Sequence, residues 1–192
     1  MPKSFSEHEK QNIRGILIDS CKYSWKNYGY KRTNIDELCQ KAGISKGAFY
    51  IFFPSKEQLF YETLLVVQQS LYTLMEDILS KEPGKPGLAK ALKAVYAEYD
   101  KSPFLYDTAS ADFTGFINKL APEEREAIGF DSLSGAKKLF AKSYLSLRIP
   151  EEMALSVLAS LLNIAANKEK LLYDHFRVFE FMLDNVMDEI FE

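Results

Sequence analysis

Between Thr33 and Ser55 the chain signals a helix start three times, which restricts this stretch to short helices joined by tight turns. Thr33 is expected to cap a short helix with its hydroxyl, and Asp36, three residues on, to reach back in an acidic version of the capping box. Ala42-Gly43 breaks that helix. Ser45 then caps a third segment, SKGAFYIF, which Pro54 stops. Ser55 with Gln58 opens a fourth helix expected to run to about Leu79. Upstream, Ile13, Ile16/Leu17, Ser20/Cys21, Ser24/Trp25 and Tyr28 recur at steps of three and four, the mark of one helix from Glu7 to Tyr28 that Gly29 ends.

The tract SKEPGKPG, residues 80–87, has two prolines and two glycines and reads as a linker. Beyond it the pattern predicts helices at about 88–100 and 104–119, a short one opening at Pro122, then 132–147, Glu151–Ala166 and Asp174–Phe191. Period-two alternation is absent, so the expected fold is all-α. The expected division is a head at residues 1–54, with a helix-turn-helix at about 33–52, a connecting helix at 55–79 and a helical body at 80–192.

Charge separates the same regions. Residues 1–60 carry ten Lys and Arg against six Asp and Glu, a net +4, while the remainder carries fourteen against twenty-one, a net −7. A basic head on an acidic body points to a polyanion for the first segment and a different partner for the second. With 47% hydrophobic residues the chain can bury a core. Two cysteines and two histidines, scattered, give neither a disulfide framework nor metal-ligand spacing, so no metal or cofactor is expected and a reducing, cytoplasmic setting fits. The start MPKSFSEHEKQN is polar, unlike the apolar core of a signal peptide. The uncharged run Met153–Asn167 is short for a bilayer span, so no membrane partner is expected.

Two short helices around a glycine turn, the second opened by serine and lysine, form a helix-turn-helix pattern. Gly43 allows the left-handed turn, Ile44 plugs the space between the helices, and Ser45 starts a recognition helix whose open N–H groups face a phosphate. Lys46, Gly47 and Ala48 occupy the groove-facing end, where small side chains admit base edges and the thymine methyl. Tyr50 offers its hydroxyl to the backbone, and Lys56 reads as a phosphate clamp. Phe49 and Phe53 are expected to pack inward.

The segment TNIDELCQKAGISKGAFYIFFPSKEQLF, residues 33–60, closely resembles the DNA-binding signature of the TetR family of bacterial transcriptional regulators. That resemblance implies a three-helix DNA-binding head, a body that binds a small-molecule effector and forms a homodimer, and release of a palindromic operator in double-stranded DNA when the effector binds. Carried over by position, Thr33, Ser45, Lys46, Gly47, Ala48, Tyr50 and Lys56 fall where such proteins contact DNA. Phe52 stands where many relatives carry His or Tyr and is left only a van der Waals contact with the DNA backbone. Cys39 stands where alanine is usual and, like Cys21, is expected to be an inert core thiol.

In the body, Phe176, Phe179, Leu183, Val186 and Ile190 form a coiled-coil-like seam. With Val157 and Leu161 of the preceding apolar helix they are expected to meet a twofold mate in a four-helix bundle. Phe104, Tyr106, Phe113, Phe116, Phe130, Phe140 and Tyr144 suggest a pocket for a lipophilic or aromatic compound. No catalytic constellation is visible, and an enzyme is not expected. The competing reading is a dimeric helical adaptor for a small molecule or a protein, with weak or vestigial DNA binding.

Overall fold

A computed structural model describes residues 5–102 and 107–192, with the side chains of 129–133 and 142–143 left undescribed. Within those residues the fold is all-α: α1 (Glu7–Arg32), α2 (Ile35–Lys41), α3 (Lys46–Phe52), α4 (Lys56–Lys81), α5 (Gly84–Asp100), α6 (Ala111–Ile117), α7 (Pro122–Ser143), α8 (Glu151–Leu162), a 3-10 turn (Ala165–Lys170) and α9 (His175–Ile190). No described helix is long and apolar enough to cross a membrane.

The expected helix starts hold at Ser45 and Ser55, whose hydroxyls accept from the N–H groups of Ala48 at 3.2 Å and Gln58 at 3.1 Å. Thr33 does something else. Its hydroxyl donates to the Gly29 carbonyl at 2.8 Å, closing the end of α1, and the neighbouring Asn34 caps α2 by accepting from the Asp36 N–H at 2.9 Å. Gly29 interrupts α1 rather than ending it: at φ 80° and ψ 174° it leaves the helix for one residue, and a last turn follows. The tract 80–87 is no eight-residue linker either. Helix α4 reaches Lys81 and α5 begins at Gly84, since a proline in the first turn loses no helical hydrogen bond. The helices expected at Pro122 and at 132–147 are one continuous α7.

Two apolar cores organise these elements, and they do not divide at residue 54. The first gathers α1, α2, α3, the start of α4 through Val67, and also Phe113, Phe116 and Leu120 from α6 and the residues after it. The second gathers the rest of α4 with α5, α7, α8 and α9. Helix α4, 26 residues and so about 39 Å long, belongs to both. In the second core Tyr96 stacks on Phe179 at 3.9 Å and its hydroxyl meets His175 Nδ1 at 2.9 Å. The chain's end closes the body, because the Arg148 N–H donates to the Ile190 carbonyl and the Glu192 N–H to the Ser146 carbonyl.

The apolar seam of α9 faces inward. Phe179, Leu183 and Ile190, with Leu161 of α8, are buried in the chain's own second core, and Val157, Phe176 and Val186 pack partly buried against it. Leu161, Phe179, Leu183 and Ile190 are therefore body core in the single chain, a correction to their expected role facing a second copy, while Val157, Phe176 and Val186 keep exposed surface. The apolar side chains that point outward are others: Met153 on α8 and Phe181 and Met182 on α9.

Candidate nucleic-acid interface and interior cavity

The turn between α2 and α3 is built around Gly43, at φ 66°, a left-handed conformation costly for any residue with a Cβ. The Ile44 N–H returns to the Cys39 carbonyl at 3.0 Å, and its side chain packs against the head core. In α3 the aromatic residues Phe49, Phe52 and Phe53 are all buried, with Phe5 against Phe52 at 5.6 Å between ring centroids. Phe52 is thus withdrawn from any surface contact. At 100° per residue, positions 49, 52 and 53 share one face, which sends 47, 50 and 51 to the opposite one. Tyr50 and Ile51 are 51% and 65% exposed. Ile51, unnoticed in the sequence, was identifiable from that same helical arithmetic.

Lys46 opens this outward face. Its ammonium pairs with Asp36 at 3.0 Å, and that hydrogen bond holds its pKa above the ordinary lysine value, so it is fully charged at neutral pH. A Cβ at Gly47 would meet nothing nearer than the Ser45 Oγ at 3.9 Å, so the approach to α3 is open there. Arg14 of α1 fixes the other end of α3, donating to the Phe52 carbonyl at 2.7 Å, pairing with Glu62 and lying 4.3 Å from the Phe53 ring centroid.

Lys56 and Thr33 stand behind this face. Lys56 is half-buried; its ammonium donates to the Tyr30 carbonyl at 2.6 Å and sits 4.5 Å from the Tyr30 ring centroid, and burial lowers its pKa. It therefore closes the carbonyl end of α1, a structural duty that its reading as a phosphate clamp did not include. Thr33 is buried with its hydroxyl committed to Gly29.

The last turn of α1 is held from the far side of the sequence as well. Because Gly29 breaks the helix, the N–H groups of Tyr30 and Lys31 have no partner within it, and the Asp112 carboxylate accepts both, at 2.5 and 2.9 Å. Next to it the Tyr30 hydroxyl donates to Glu57, and Lys119 meets that hydroxyl at 2.9 Å. Burial acts to raise the Glu57 pKa, but the Tyr30 hydroxyl, its own backbone N–H and Lys119 together hold it below the ordinary 4.5. Its stabilisation is fully present above that value and is lost as the pH falls through the depressed one. Glu57→Gln should cost about 1.5 kcal/mol at pH 7, the lower end for a hydrogen bond to a charged group. Urea titrations should show that difference shrinking by pH 3; a constant difference would mean that the charge of Glu57 is immaterial.

Both thiols are buried, and burial pushes Cys21 up to about 12. They are thiols inside a core, without the thiolate character that reactivity requires.

Between the two cores lies a cavity of about 380 Å3. Leu64, Val67, Leu71 and Met75 of α4 line it with side chains from α5, α7 and α8, and with Phe113 and Phe140. Its polar lining groups are neutral, Gln68, Tyr72, Tyr99, Thr108 and Asn163. Burial pushes the Tyr99 phenol up to about 12, so it stays protonated. Of the aromatic residues expected there, Phe116 instead packs in the head against Trp25 and Phe60, and Tyr144, in the left-handed region at the end of α7, is 87% exposed. Phe104 and Tyr106 lie outside the described residues, as does the side chain of Phe130.

Residues 22–63, which contain the helix-turn-helix and its supporting aromatics, match the family model for bacterial regulatory proteins of the tetR family. This segment is a TetR-family head. The HTH-type transcriptional regulator YuxN of Bacillus subtilis is 32% identical over 82 residues, 42% of this chain and 28% of that protein. The chain spans only 28% to 48% of the length of the first curated relatives it matches. Similarity of fold runs much further. A TetR-family transcriptional regulator from Mesorhizobium loti superposes with a TM-score of 0.69 at 19% identity, covering 95% of this chain and 98% of that one. The regulator FadR from Bacillus subtilis, solved in complex with stearoyl-CoA, gives 0.66 at 13% identity, covering 90% and 96%. The matched segment is therefore joined to a body that shares the fold of these two regulators.

Proposed function

We propose that the chain is a homodimeric, effector-responsive transcription regulator, a repressor that binds a palindromic operator and leaves it when a small lipophilic or aromatic compound enters the body. The observation that carries this reading is α3. Its buried Phe49, Phe52 and Phe53 fix the helix, while Lys46, Gly47, Tyr50 and Ile51 are left outward, Lys46 in its ion pair with Asp36 and the Tyr50 ring edge-on to Phe49. On this reading Ser45, Lys46, Gly47, Ala48 and Tyr50 touch DNA, Ile51 joins them, and Thr33, Phe52 and Lys56 shape the head from behind. Two heads about 34 Å apart on one face of the duplex then read two half-sites. The adaptor alternative draws on the withdrawal of Thr33 and Phe52 from the surface, and the exposed Lys46 and Tyr50 count against it.

Release follows from the position of the cavity. Phe113 lines it and packs at 6.0 Å from Trp25, and Asp112, its neighbour in sequence, holds the end of α1. An effector that displaces α4 and α6 shifts the head and favours one of two states by its differential affinity for them.

The test is selection of bound sequences from random duplex DNA, with Lys46→Ala/Tyr50→Phe alongside and at two salt concentrations. A palindrome should be enriched, and the double variant should bind it about 10- to 100-fold more weakly, with a shallower salt dependence. Enrichment of nothing, or equal binding by the variant, would remove the reading.

A further inference from the structure

The cavity has a neighbour. On the other side of part of its wall, between α4 and α7, lies a groove of about 530 Å3 whose aliphatic side chains, Leu65, Val66 and Leu139, are interspersed with Gln68, Gln69, Tyr72, Glu76, Ser134 and Lys138. Gln68, Tyr72 and Leu139 line both spaces, so these three side chains are the partition. Helix α7 meets the partition with a glycine. A Cβ at Gly135 would stand 2.2 Å from the Tyr72 Cζ, far inside any real contact, so the Tyr72 ring lies where it does because position 135 carries no side chain.

The two spaces differ in chemistry. The inner one is lined by hydrocarbon and a few neutral polar groups, with no charged side chain among the described residues. An ion entering it would lose its hydration without compensation. The outer one adds two carboxamides, two hydroxyls, one carboxylate and one ammonium to its aliphatic side chains. The opposite charges of Glu76 and Lys138 offset each other, so this groove favours hydrogen-bonding groups over an ion of either sign.

We infer that the two spaces form one bipartite site, partitioned by Tyr72, for a neutral amphiphile whose hydrocarbon tail fills the inner cavity and whose uncharged, hydrogen-bonding head occupies the outer groove. This rests on the reading of the inner cavity as the effector site. Each methylene added to the tail should tighten binding about fourfold until the cavity is full. The head adds affinity through hydrogen bonds, whereas an ionised head gains from one of Glu76 and Lys138 what it loses to the other and also gives up its hydration.

Calorimetry on the whole chain, with octyl glucoside below its micelle threshold, 1-octanol and octyl sulfate as probes, tests both halves. Octyl glucoside should bind at least tenfold more tightly than 1-octanol, and octyl sulfate no more tightly than 1-octanol. Gln69→Ala/Ser134→Ala should remove the advantage of the glucoside and leave 1-octanol unchanged. Tyr72→Ala should raise the association rate of both, followed by stopped-flow fluorescence of Trp25, the only tryptophan in the chain. Equal affinities for glucoside and alcohol, or an advantage that survives the double substitution, would overturn the outer half and leave the inner site standing. Tightest binding by octyl sulfate would overturn the neutral head. If no octyl compound binds, the effector reading of the cavity falls, and the bipartite site with it.

Discussion

Trp25→Ala should lower the melting temperature by about 10 °C or more, the consequence of losing about 3–5 kcal/mol from a chain of this size. Trp25 has no exposed surface and sits at the junction of three elements, with Phe60 of α4 at 4.6 Å and Phe116 and Phe113 of α6 at 5.1 and 6.0 Å between ring centroids. No single rotamer change in those rings fills the space of an indole, so the cavity persists and its cost adds to the lost transfer energy. The loss is comparable to the whole stability of many domains, about 5–15 kcal/mol. Trp25→Phe should cost less than half as much. The indole N–H is buried without a hydrogen-bond acceptor, and a phenyl ring removes that orphaned donor while keeping most of the packing. Thermal melts followed by circular dichroism decide the matter. Equal losses in the two variants would mean that the indole N–H has a partner after all, and a loss of a few degrees in the alanine variant would mean that α6 is held by something other than this cluster.

Met153→Glu/Phe181→Glu should turn the proposed dimer into a monomer in sedimentation experiments and weaken the proposed operator binding by about 10²- to 10⁴-fold, the avidity that two linked heads supply. Both side chains are more than half exposed in the single chain, so the substitutions should change the stability of the fold itself little. Between two copies, each would bury an unpaired carboxylate, which is strongly unfavourable. Leu183→Ala supplies the contrast. Leu183 is fully buried in the body core, so its truncation should destabilise the fold itself, by about 2–5 kcal/mol, rather than act on association alone. A double glutamate variant that remains dimeric would place the mate on another surface.

The signals legible in the sequence were those carried by neighbours along the chain. Ser45, Gly43 and Ser55 announce their roles because a cap and a left-handed turn act within four residues. Thr33 and Asn34 show the resolution of that method, since either can cap α2 and the choice is decided by Gly29, whose departure from helical geometry gives the threonine another acceptor. Phe52 was misjudged by following a family position when the spacing to Phe49 already turned it inward. Lys56, Asp112 and Lys119 lay out of reach for a different reason: their partners stand 26 to 89 residues away, and no local pattern records such a contact. The seam on α9 illustrates a further limit. Periodicity finds an apolar face but does not say whether the chain's own body or a second copy covers it. The cavity was obscured likewise, because its walls are mostly aliphatic side chains that in sequence look like any other core.

The sharing of Phe113, Phe116 and Leu120 with the head has a consequence during synthesis. Residues through Phe53 carry every helix of the helix-turn-helix unit, yet the apolar surface around Trp25 is not covered until α6 has left the ribosome, some 60 residues later. At about 5–20 residues per second, that leaves the head unfinished for about 3–12 s. For that interval the nascent chain presents an aromatic surface to the cell before it has a body to cover it, and a chain truncated in the proline-glycine tract at 80–87 would present it permanently.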